Sequence, residues 1–280
     1  MNAVVAEALP WVRAPLRYLE PAAAKPYSYE YDPPAGVTRT TAVYREHIAT
    51  IHDLRPLAAD LSLDREGFRL VTAPTAVADL YDEEVLRNHY YPEAVDLLRN
   101  LTGAARVVVF DHTIRRRIVG AEDRTTGLPR QPVPRIHNDY TVKSGPQRVR
   151  DLLGDEADGL LRGRFAVINV WRPIRGPLQD APLAVCDARS VERSDLVATD
   201  LIYRDRVGEI YYVKYNPAHR WLYAPDMGRD EALLIKCFDS AEDGRARFVP
   251  HSAFNDPAAP ANVLPRESIE LRTLVFYPDT

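Results

Sequence analysis

The sequence predicts a mainly β fold with flanking helices, and three observations support this class. Twenty-three prolines and 13 glycines are distributed along the 280 residues, where they separate many short apolar runs. Such punctuation is typical of strands joined by turns rather than of a helix bundle. Beyond residue 130 the apolar runs are rich in β-branched and aromatic residues, which favour sheets. We therefore predict a sandwich or open barrel within one domain over residues 1–280.

Two helical patterns occur in the first hundred residues. Apolar residues recur at every fourth position within 77–86, and similar spacing over 92–101 precedes Gly103, a residue that commonly ends helices. We predict a helix over each range. Residues 1–104 are accordingly expected to form a mixed N-terminal part that packs on a strand-rich core.

A buried strand is predicted over 105–111, because four consecutive β-branched or aromatic residues suit a sheet covered on both faces. Lys236 lies in a later strand pattern, and since an unpaired buried lysine is costly, we expect a carboxylate partner for it. The other predicted strands cover residues 165–171, 182–186, 209–215, 232–238, 246–249 and 268–277.

Composition and charge narrow the class of protein. The formal net charge is −4 and charges of both signs are interleaved, which argues against nucleic acid or an anionic membrane as the main partner. No segment approaches the roughly 20 apolar residues that span a bilayer, and the N-terminus lacks the pattern of a secretory signal. Cys186 and Cys237 are the only cysteines, which suits a reducing compartment. We expect a cytoplasmic protein that acts on a small molecule.

The string from Arg135 to Tyr140 contains a candidate metal site. Residues i and i+2 of a strand share a face, so His137 and Asp139 can face one metal ion while Asn138 faces away. Two neutral imidazoles and one carboxylate on one face of an octahedron leave three positions open. An oxygen-activating ferrous site needs these positions, two for a chelating co-substrate and one for O₂. His-x-Asp alone is a common pattern, so a third ligand is required.

Several longer strings of the sequence carry a family resemblance. The strings are Phe110–Arg115, His137–Asp139, Asn169–Ile174, Pro182–Asp187, His219–Trp221, Lys236–Ser240, Pro250–Phe254 and Pro265–Arg272. They resemble a known hydroxylase/desaturase family, which includes proteins of aspergillic acid biosynthesis, a gibberellin desaturase and the smaller partner protein of cephamycin 7α-methoxylation, and the resemblance covers residues 19–277. It implies a dioxygenase that needs Fe(II), 2-oxoglutarate and O₂, hydroxylates or desaturates a natural-product intermediate, and releases succinate and CO₂.

The resemblance also implies an architecture. Its members have a double-stranded β-helix core, a cupin-like jelly roll, which we place at residues 105–280. The separation between Asp139 and the C-terminal histidine is long for a compact barrel. We therefore predict a long insertion at about 187–245.

Two histidines compete for the third ligand position. In oxygenases of this fold, the distal histidine is followed on the next strand by an arginine that binds the far carboxylate of 2-oxoglutarate. His251 stands at such a distance before Arg266 and Ser268, whereas His219 has no arginine in a comparable position. The resemblance thus implies His251 as the third ligand, with His219 as the alternative.

Two arginines likewise compete to anchor the co-substrate. Arg266, helped by the Ser268 hydroxyl, would hold the 2-oxoglutarate carboxylate in a bidentate pair. Arg272 shares a strand face with Arg266, so it is either the anchor itself or part of a charged layer with Glu270.

Substrate contacts are predicted from charge and aromatic content. Arg172 can bind an anionic group, and Trp171 beside it is either core or part of the substrate site. Tyr212 and Trp221 belong to an aromatic-rich stretch of the predicted insertion, where a substrate lid is expected.

Other functions and partners stay open at this level. One family member assists another enzyme, so a catalytically silent accessory protein of a biosynthetic partner is the alternative function. A zinc hydrolase would use the same ligand types, but the sequence lacks the general-base glutamate pattern of such enzymes. Besides the substrate, the expected partner is a second copy in a homodimer or a biosynthetic partner enzyme.

Overall fold

A computed structural model describes residues 9–121, 123 and 127–278. None of the helices in these ranges is long and apolar enough to cross a membrane. The described strands are β1 (Trp11–Leu19), β2 (Tyr27–Tyr29), β3 (Tyr44–Asp53), β4 (Phe68–Thr72), β5 (Arg106–Arg116), β6 (His137–Asn138), β7 (Phe165–Pro173), β8 (Leu183–Cys186), β9 (Leu196–Ile202), β10 (Val207–Val213), β11 (Trp221–Tyr223), β12 (Glu231–Asp239), β13 (His251–Ala253) and β14 (Glu267–Phe276). The helices are α1 (Glu83–Val85), α2 (Tyr91–Thr102), α3 (Ser144–Leu153) and α4 (Ala157–Leu160), with a π-helical segment at Leu86–Tyr90 and 3-10 turns at Arg55–Leu57, Gly154–Glu156, Ala188–Ser190 and Arg193–Asp195.

The strands form two sheets that enclose the main core. The larger sheet has the order β1-β3-β11-β8-β13-β6-β10-β9-β2, and the smaller has the antiparallel order β4-β12-β7-β14-β5. Val167 and Leu274 of the smaller sheet share one buried cluster with Val185 and Leu222 of the larger. This is a jelly roll, so the prediction of a mainly β fold with a double-stranded β-helix core is confirmed.

Strand β14 directs charged side chains towards the interior by simple alternation. Ile269 and Leu271 pack with the helical segments on the outer side of the smaller sheet. Glu270 and Arg272 lie on the opposite face, where both contact the side chains of the candidate site. One strand thus supplies both an apolar outer layer and a charged inner layer.

The two predicted helices have different outcomes. The helix over 92–101 is confirmed as α2, which ends at Gly103 in the left-handed conformation (φ 70°) that glycine adopts without strain. The prediction of a helix over 77–86 is wrong, because the helical segment starts only after Asp82. The Asp82 carboxylate accepts hydrogen bonds from two following backbone amides and caps the helix there. The apolar residues upstream are buried as irregular chain.

The N-terminal segment (1–104) and the expected insertion (187–245) both supply strands to the two sheets, which the sequence did not predict. Within 1–104, β1 and β3 join the larger sheet and β4 joins the smaller, so this part does more than pack on the core. Residues 187–245, expected as an insertion, supply β9 to β12, and β12 lies between β4 and β7. A jelly roll pairs strands that are distant in sequence. The long separation between the ligand candidates therefore reflects the path of the chain between two sheets.

Most predicted strands are confirmed with shifted ends, but residues 246–249 contain no strand. The next strand, β13, begins at His251. The reason is a local competition for hydrogen bonds: the Val249 amide donates to the Asn138 side chain at 3.0 Å instead of to a neighbouring strand.

Lys236 of β12 is fully buried, and the expected carboxylate partner is present. Its ammonium donates to Asp64 Oδ1 at 2.5 Å and to Asp239 Oδ2 at 2.8 Å. Asp239 keeps Arg164 as a partner in Lys236→Met, so we expect the loss of the charge-assisted hydrogen bonds alone to lower the free energy of unfolding by about 1–3 kcal/mol, measured by denaturant unfolding. The exposed Lys143→Met is the matched control and should change it by less than about 0.5 kcal/mol. Equal effects would show that the buried pair contributes nothing specific.

Candidate metal centre

Three candidate ligands meet where β6 pairs with β13. His137 and His251 are cross-strand partners in register, and their ring centroids lie 4.4 Å apart. Their Nε2 atoms lie 3.5 Å and 3.9 Å from Asp139 Oδ1. All three ligand atoms lie within 4.8 Å of one another. One metal ion can therefore contact two imidazole nitrogens and one carboxylate oxygen.

Backbone carbonyls hold both imidazoles in the form that binds metals. The Nδ1 atom of His137 lies 2.8 Å from the Arg135 carbonyl oxygen, and that of His251 lies 3.0 Å from the Val249 carbonyl oxygen. A carbonyl only accepts, so each Nδ1 donates its proton and Nε2 is the ring atom left for a metal ion. Burial, and next the neighbouring His251, lower the pKa of His137 to about 3, which keeps this ring neutral.

The second carboxylate oxygen of Asp139 is held by side chains of the smaller sheet. Asn169 Nδ2 donates to Oδ2 at 2.8 Å, and Arg272 Nε donates to it at 3.2 Å. Burial acts to raise the pKa of this carboxyl, but Arg272 and then the two histidines hold the pKa well below its ordinary value. Asp139 is therefore ionised, with Oδ1 directed to the imidazoles. Two nitrogen donors and one anionic oxygen fit a ferrous ion with an open coordination face.

His219, the alternative third ligand, lies in a different cluster. Its Nε2 atom is 3.2 Å from Asp195 Oδ2, and its ring stacks on Tyr18 with the centroids 5.6 Å apart. In the described part of the chain, the cluster of Asp139 with His137 and His251 is the single group of three or more such side chains that could hold a metal. The structure thus brings His251, and not His219, to Asp139.

Asn138 links β6, which contains His137, to the residues just before β13, which contains His251. The sequence did not suggest this role. Its Nδ2 atom donates to the Cys237 carbonyl at 2.8 Å, and its Oδ1 atom accepts from the Val249 amide at 3.0 Å. Val249 is the residue whose carbonyl orients His251. Strand alternation predicted that Asn138 faces away from the candidate ligands, and it does. Its hydrogen-bond partners could not be predicted, because Cys237 and Val249 are distant in sequence and only the fold brings them near.

Arg266 is a buried cation that directly precedes β14. Its guanidinium donates to Ser268 Oγ at 3.0 Å and to the Ala181 carbonyl at 2.8 Å, and it lies 5.0 Å from the centroid of the Trp171 ring. None of the described carboxylates forms an ion pair with it. Burial, and next the nearby Arg115, lower the pKa of Arg266 to about 9, so the group is still cationic at neutral pH. A buried guanidinium in this state favours an anionic ligand.

Arg272, the alternative anchor, is already neutralised by the protein. Its guanidinium forms ion pairs with Asp111, Asp139 and Glu270 at 3.0–3.2 Å. Of the two alternatives that the sequence allowed for Arg272, this geometry matches the charged layer with Glu270. The geometry therefore indicates that Arg272 orients the carboxylate of Asp139, one of the candidate metal ligands.

Loss of Arg272 should weaken the metal site more than it weakens co-substrate binding. Arg272→Met removes a donor to Asp139 Oδ2, and loss of such an outer partner typically costs about 10–100-fold in metal affinity. We expect that increase in the Fe(II) dissociation constant, measured by anaerobic titration. The exposed Arg175→Met should leave Fe(II) affinity unchanged. A variant with normal Fe(II) affinity and a much higher KM for 2-oxoglutarate would instead make Arg272 the anchor.

A cavity of about 740 Å³ opens beside His137, Asp139 and Arg272. Its walls come from β5, from α3 and from the β9–β10 hairpin. The volume lies in the range of sites for small molecules. Tyr212, a predicted substrate contact, lines the cavity, whereas Trp171 lies beside Arg266 and does not line it.

The other two predicted substrate contacts lie elsewhere. Arg172 is on the face of β7 opposite to Trp171, and its guanidinium lies 5.0 Å from the centroid of the Tyr90 ring on the outer side of the smaller sheet. Trp221 is buried in a separate apolar cluster, where its Nε1 atom donates to the Tyr18 hydroxyl at 2.7 Å. The structure therefore does not bring either residue to the cavity, because strand alternation turns Arg172 outward and β11 turns Trp221 away.

Comparisons with known proteins cover nearly the whole chain. The protein-family profile described as Oxidoreductase/YMDC permease-like domain matches residues 16–276. The hydroxylase/desaturase efuI of Hormonema carpetanum is 36% identical over 265 residues, which cover 87% of this chain and 88% of that protein. The alpha-ketoglutarate-dependent dioxygenase phiK of a fungal species is 32% identical over 238 residues, covering 81% and 83%. The solved structure of the iron and alpha-ketoglutarate-dependent endoperoxidase NvfI is 27% identical, with a TM-score of 0.87 over 96% of this chain and 99% of that one.

These similarities bear on the whole fold and on the candidate centre alike. The cluster of His137, Asp139 and His251 lies inside the matched range, and so does Arg266. The resemblance to hydroxylase/desaturases that the sequence indicates is confirmed. The chain belongs to this oxidoreductase family, together with the hydroxylase/desaturases and the alpha-ketoglutarate-dependent dioxygenases that it matches.

Proposed function

We propose that this chain is an Fe(II)- and 2-oxoglutarate-dependent dioxygenase that hydroxylates or desaturates a small-molecule intermediate of natural-product biosynthesis. One observation carries the proposal: two histidines and an ionised aspartate lie together in the same protein interior as Arg266, a buried cation that lacks a carboxylate partner among the described residues. The cluster suits a ferrous ion, and the cation suits a chelating dicarboxylate. The names of the relatives efuI, phiK and NvfI support the same chemistry.

In this proposal His137, Asp139 and His251 hold the metal. The carbonyls that accept from both Nδ1 atoms keep the imidazoles oriented, and Arg272 keeps the carboxylate oriented. Bound Fe(II) would supply the activation of O₂, coupled to decarboxylation of 2-oxoglutarate to succinate and CO₂. The side chains themselves contribute position and charge.

Arg266 and Ser268 bind the far carboxylate of 2-oxoglutarate in this proposal. The planar guanidinium offers parallel donors that match a carboxylate. Trp171 beneath it excludes water from one side and favours the cation through its ring face. The substrate would then occupy the cavity beside Asp139, in contact with Tyr212.

We further propose a cytoplasmic location, because Cys186 and Cys237 are both buried and unpaired. A homodimer or a complex with a biosynthetic partner enzyme stays a prediction. A silent accessory role has less support, since all the ligand candidates are in place and held by hydrogen bonds.

Calorimetry under anaerobic conditions tests the proposed function. We expect one Fe(II) per chain, followed by 2-oxoglutarate binding that depends on the metal. Aerobic incubation with a set of natural-product intermediates should then give succinate in step with substrate oxidation. A chain that retains only zinc, or that binds neither Fe(II) nor 2-oxoglutarate, would contradict the assignment.

A further inference from the structure

The cavity beside the metal centre contains two half-buried arginines, Arg135 and Arg148, that lack a carboxylate partner among the described residues. Most carboxylates of the cavity, by contrast, are already paired. The pairs are Asp111 and Asp139 with Arg272, Asp123 with Arg130, and Asp200 and Glu209 with Lys25.

Arg148 projects from α3 on one side of the cavity. Its guanidinium lies 5.9 Å from the centroid of the Phe110 ring, and its Nε atom is buried without a hydrogen-bond partner. Phe110 in turn meets the ring of Tyr140, the residue after Asp139, with the centroids 6.5 Å apart. Phe110 thus lies between Arg148 and Tyr140, and the Arg148 side chain lines the same cavity as His137 and Asp139.

Arg135 flanks the centre on the other side, two residues before His137. Its guanidinium lies 5.8 Å from the centroid of the Tyr44 ring, and its Nε atom is also buried without a hydrogen-bond partner. Tyr44 meets Tyr212 edge-on, with the centroids 5.3 Å apart. The arrangement repeats that of Arg148: an aromatic ring lies beside a guanidinium whose buried Nε atom lacks a hydrogen-bond partner.

We propose that the substrate of this dioxygenase is an organic anion, whose carboxylate or comparably acidic group is balanced by Arg135 and Arg148. The inference rests on the proposed function and adds the substrate class to it. A half-buried guanidinium without a carboxylate partner favours an anionic ligand, and both guanidinium groups line the cavity. The aromatic side chains Phe110, Tyr140 and Tyr212 line the same cavity and suit a planar or apolar body attached to that group.

The co-substrate does not account for these two cations. Arg266 and Ser268, the proposed anchor for 2-oxoglutarate, do not line the cavity that contains Arg135 and Arg148. Two distinct positively charged sites therefore border the metal centre. One suits the dicarboxylate co-substrate, and the other suits a second anion.

Matched acids and amides provide the test. Anaerobic protein saturated with Fe(II) and 2-oxoglutarate is titrated with aromatic and alicyclic carboxylic acids, such as 4-phenylbutyrate, and with the primary amide of each acid. Because a charge-assisted hydrogen bond contributes more than a neutral one, we expect the acids to bind about tenfold more tightly than their amides. Arg148→Gln and Arg135→Gln should each reduce this preference. Arg150→Gln, on the exposed side of α3, should retain it.

Two results would overturn the proposal. One is equal affinity of acids and amides for the wild-type protein, which requires no variant to fold. The other is an unchanged preference for acids in a folded Arg135→Gln/Arg148→Gln double variant. Fe(II) and 2-oxoglutarate affinities are measured on the same samples. Normal loading without a preference for acids refutes only the substrate class, whereas failure to load Fe(II) and 2-oxoglutarate refutes the proposed function.

Discussion

His251→Ala is expected to abolish 2-oxoglutarate turnover, because it removes one of three ligand atoms that lie within 4.8 Å of one another. Loss of a partner outside the ligand set costs roughly 10–100-fold in metal affinity, so loss of a ligand itself should cost more. We expect the Fe(II) dissociation constant to rise beyond that range and succinate release to fall to background. Anaerobic Fe(II) titration and a succinate assay on the same samples measure both effects.

His219→Ala is the informative control, since His219 was the competing third ligand. Its contacts with Asp195 and Tyr18 are structural. The variant should therefore lose thermal stability while the folded protein binds Fe(II) with wild-type affinity. If instead folded His219→Ala lost iron and His251→Ala kept it, the assignment of the third ligand would be reversed.

Arg266→Gln should give the second largest effect, a selective loss of co-substrate binding. The buried guanidinium would pair with a carboxylate of 2-oxoglutarate, and truncation of one partner in such a pair costs about 2–5 kcal/mol. That cost corresponds to an increase of roughly 30–5000-fold in the KM for 2-oxoglutarate. Fe(II) affinity should stay near the wild-type value, because Arg266 does not contact any of the three ligand candidates.

Two variants show whether charge or fork geometry matters at this position. Arg266→Lys keeps the charge but loses the parallel donors, so its KM should lie between those of the wild type and Arg266→Gln. The exposed Arg175→Gln should leave the KM unchanged. An Arg266→Gln enzyme with a normal KM would transfer the anchoring role to another cation, with Arg272 the first to test.

Local patterns were sufficient for the parts of the site that lie on one strand. His137 and Asp139 are two residues apart, and so are Arg266 and Ser268, so strand alternation alone puts each pair on one side of the chain. The same alternation turns Asn138 away from the ligands, as the structure has it. Apolar residues spaced by about one helical turn, followed by Gly103, also located the end of α2.

Predictions from local patterns failed where the structure depends on pairing between strands that are distant in sequence. Residues 187–245 were counted as an insertion because they separate the ligand candidates in sequence, yet they supply strands to both sheets. Arg172 and Trp221 have the composition of substrate contacts, but they pack against Tyr90 and Tyr18 away from the cavity. Nothing within a strand tells which of its faces the opposite sheet will cover.

The sequence by itself determined the types of the candidate ligands, their order along the chain and the mainly β class, since residue chemistry and alternation are local properties. The tertiary structure decided which histidine joins Asp139, which arginine stays unpaired, and which cations face the cavity. Those outcomes depend on contacts between segments far apart in the chain, such as Asn138 with Val249 and Arg272 with Asp139. A buried charge takes its role from the partners that folding places beside it, and those partners lie on other strands.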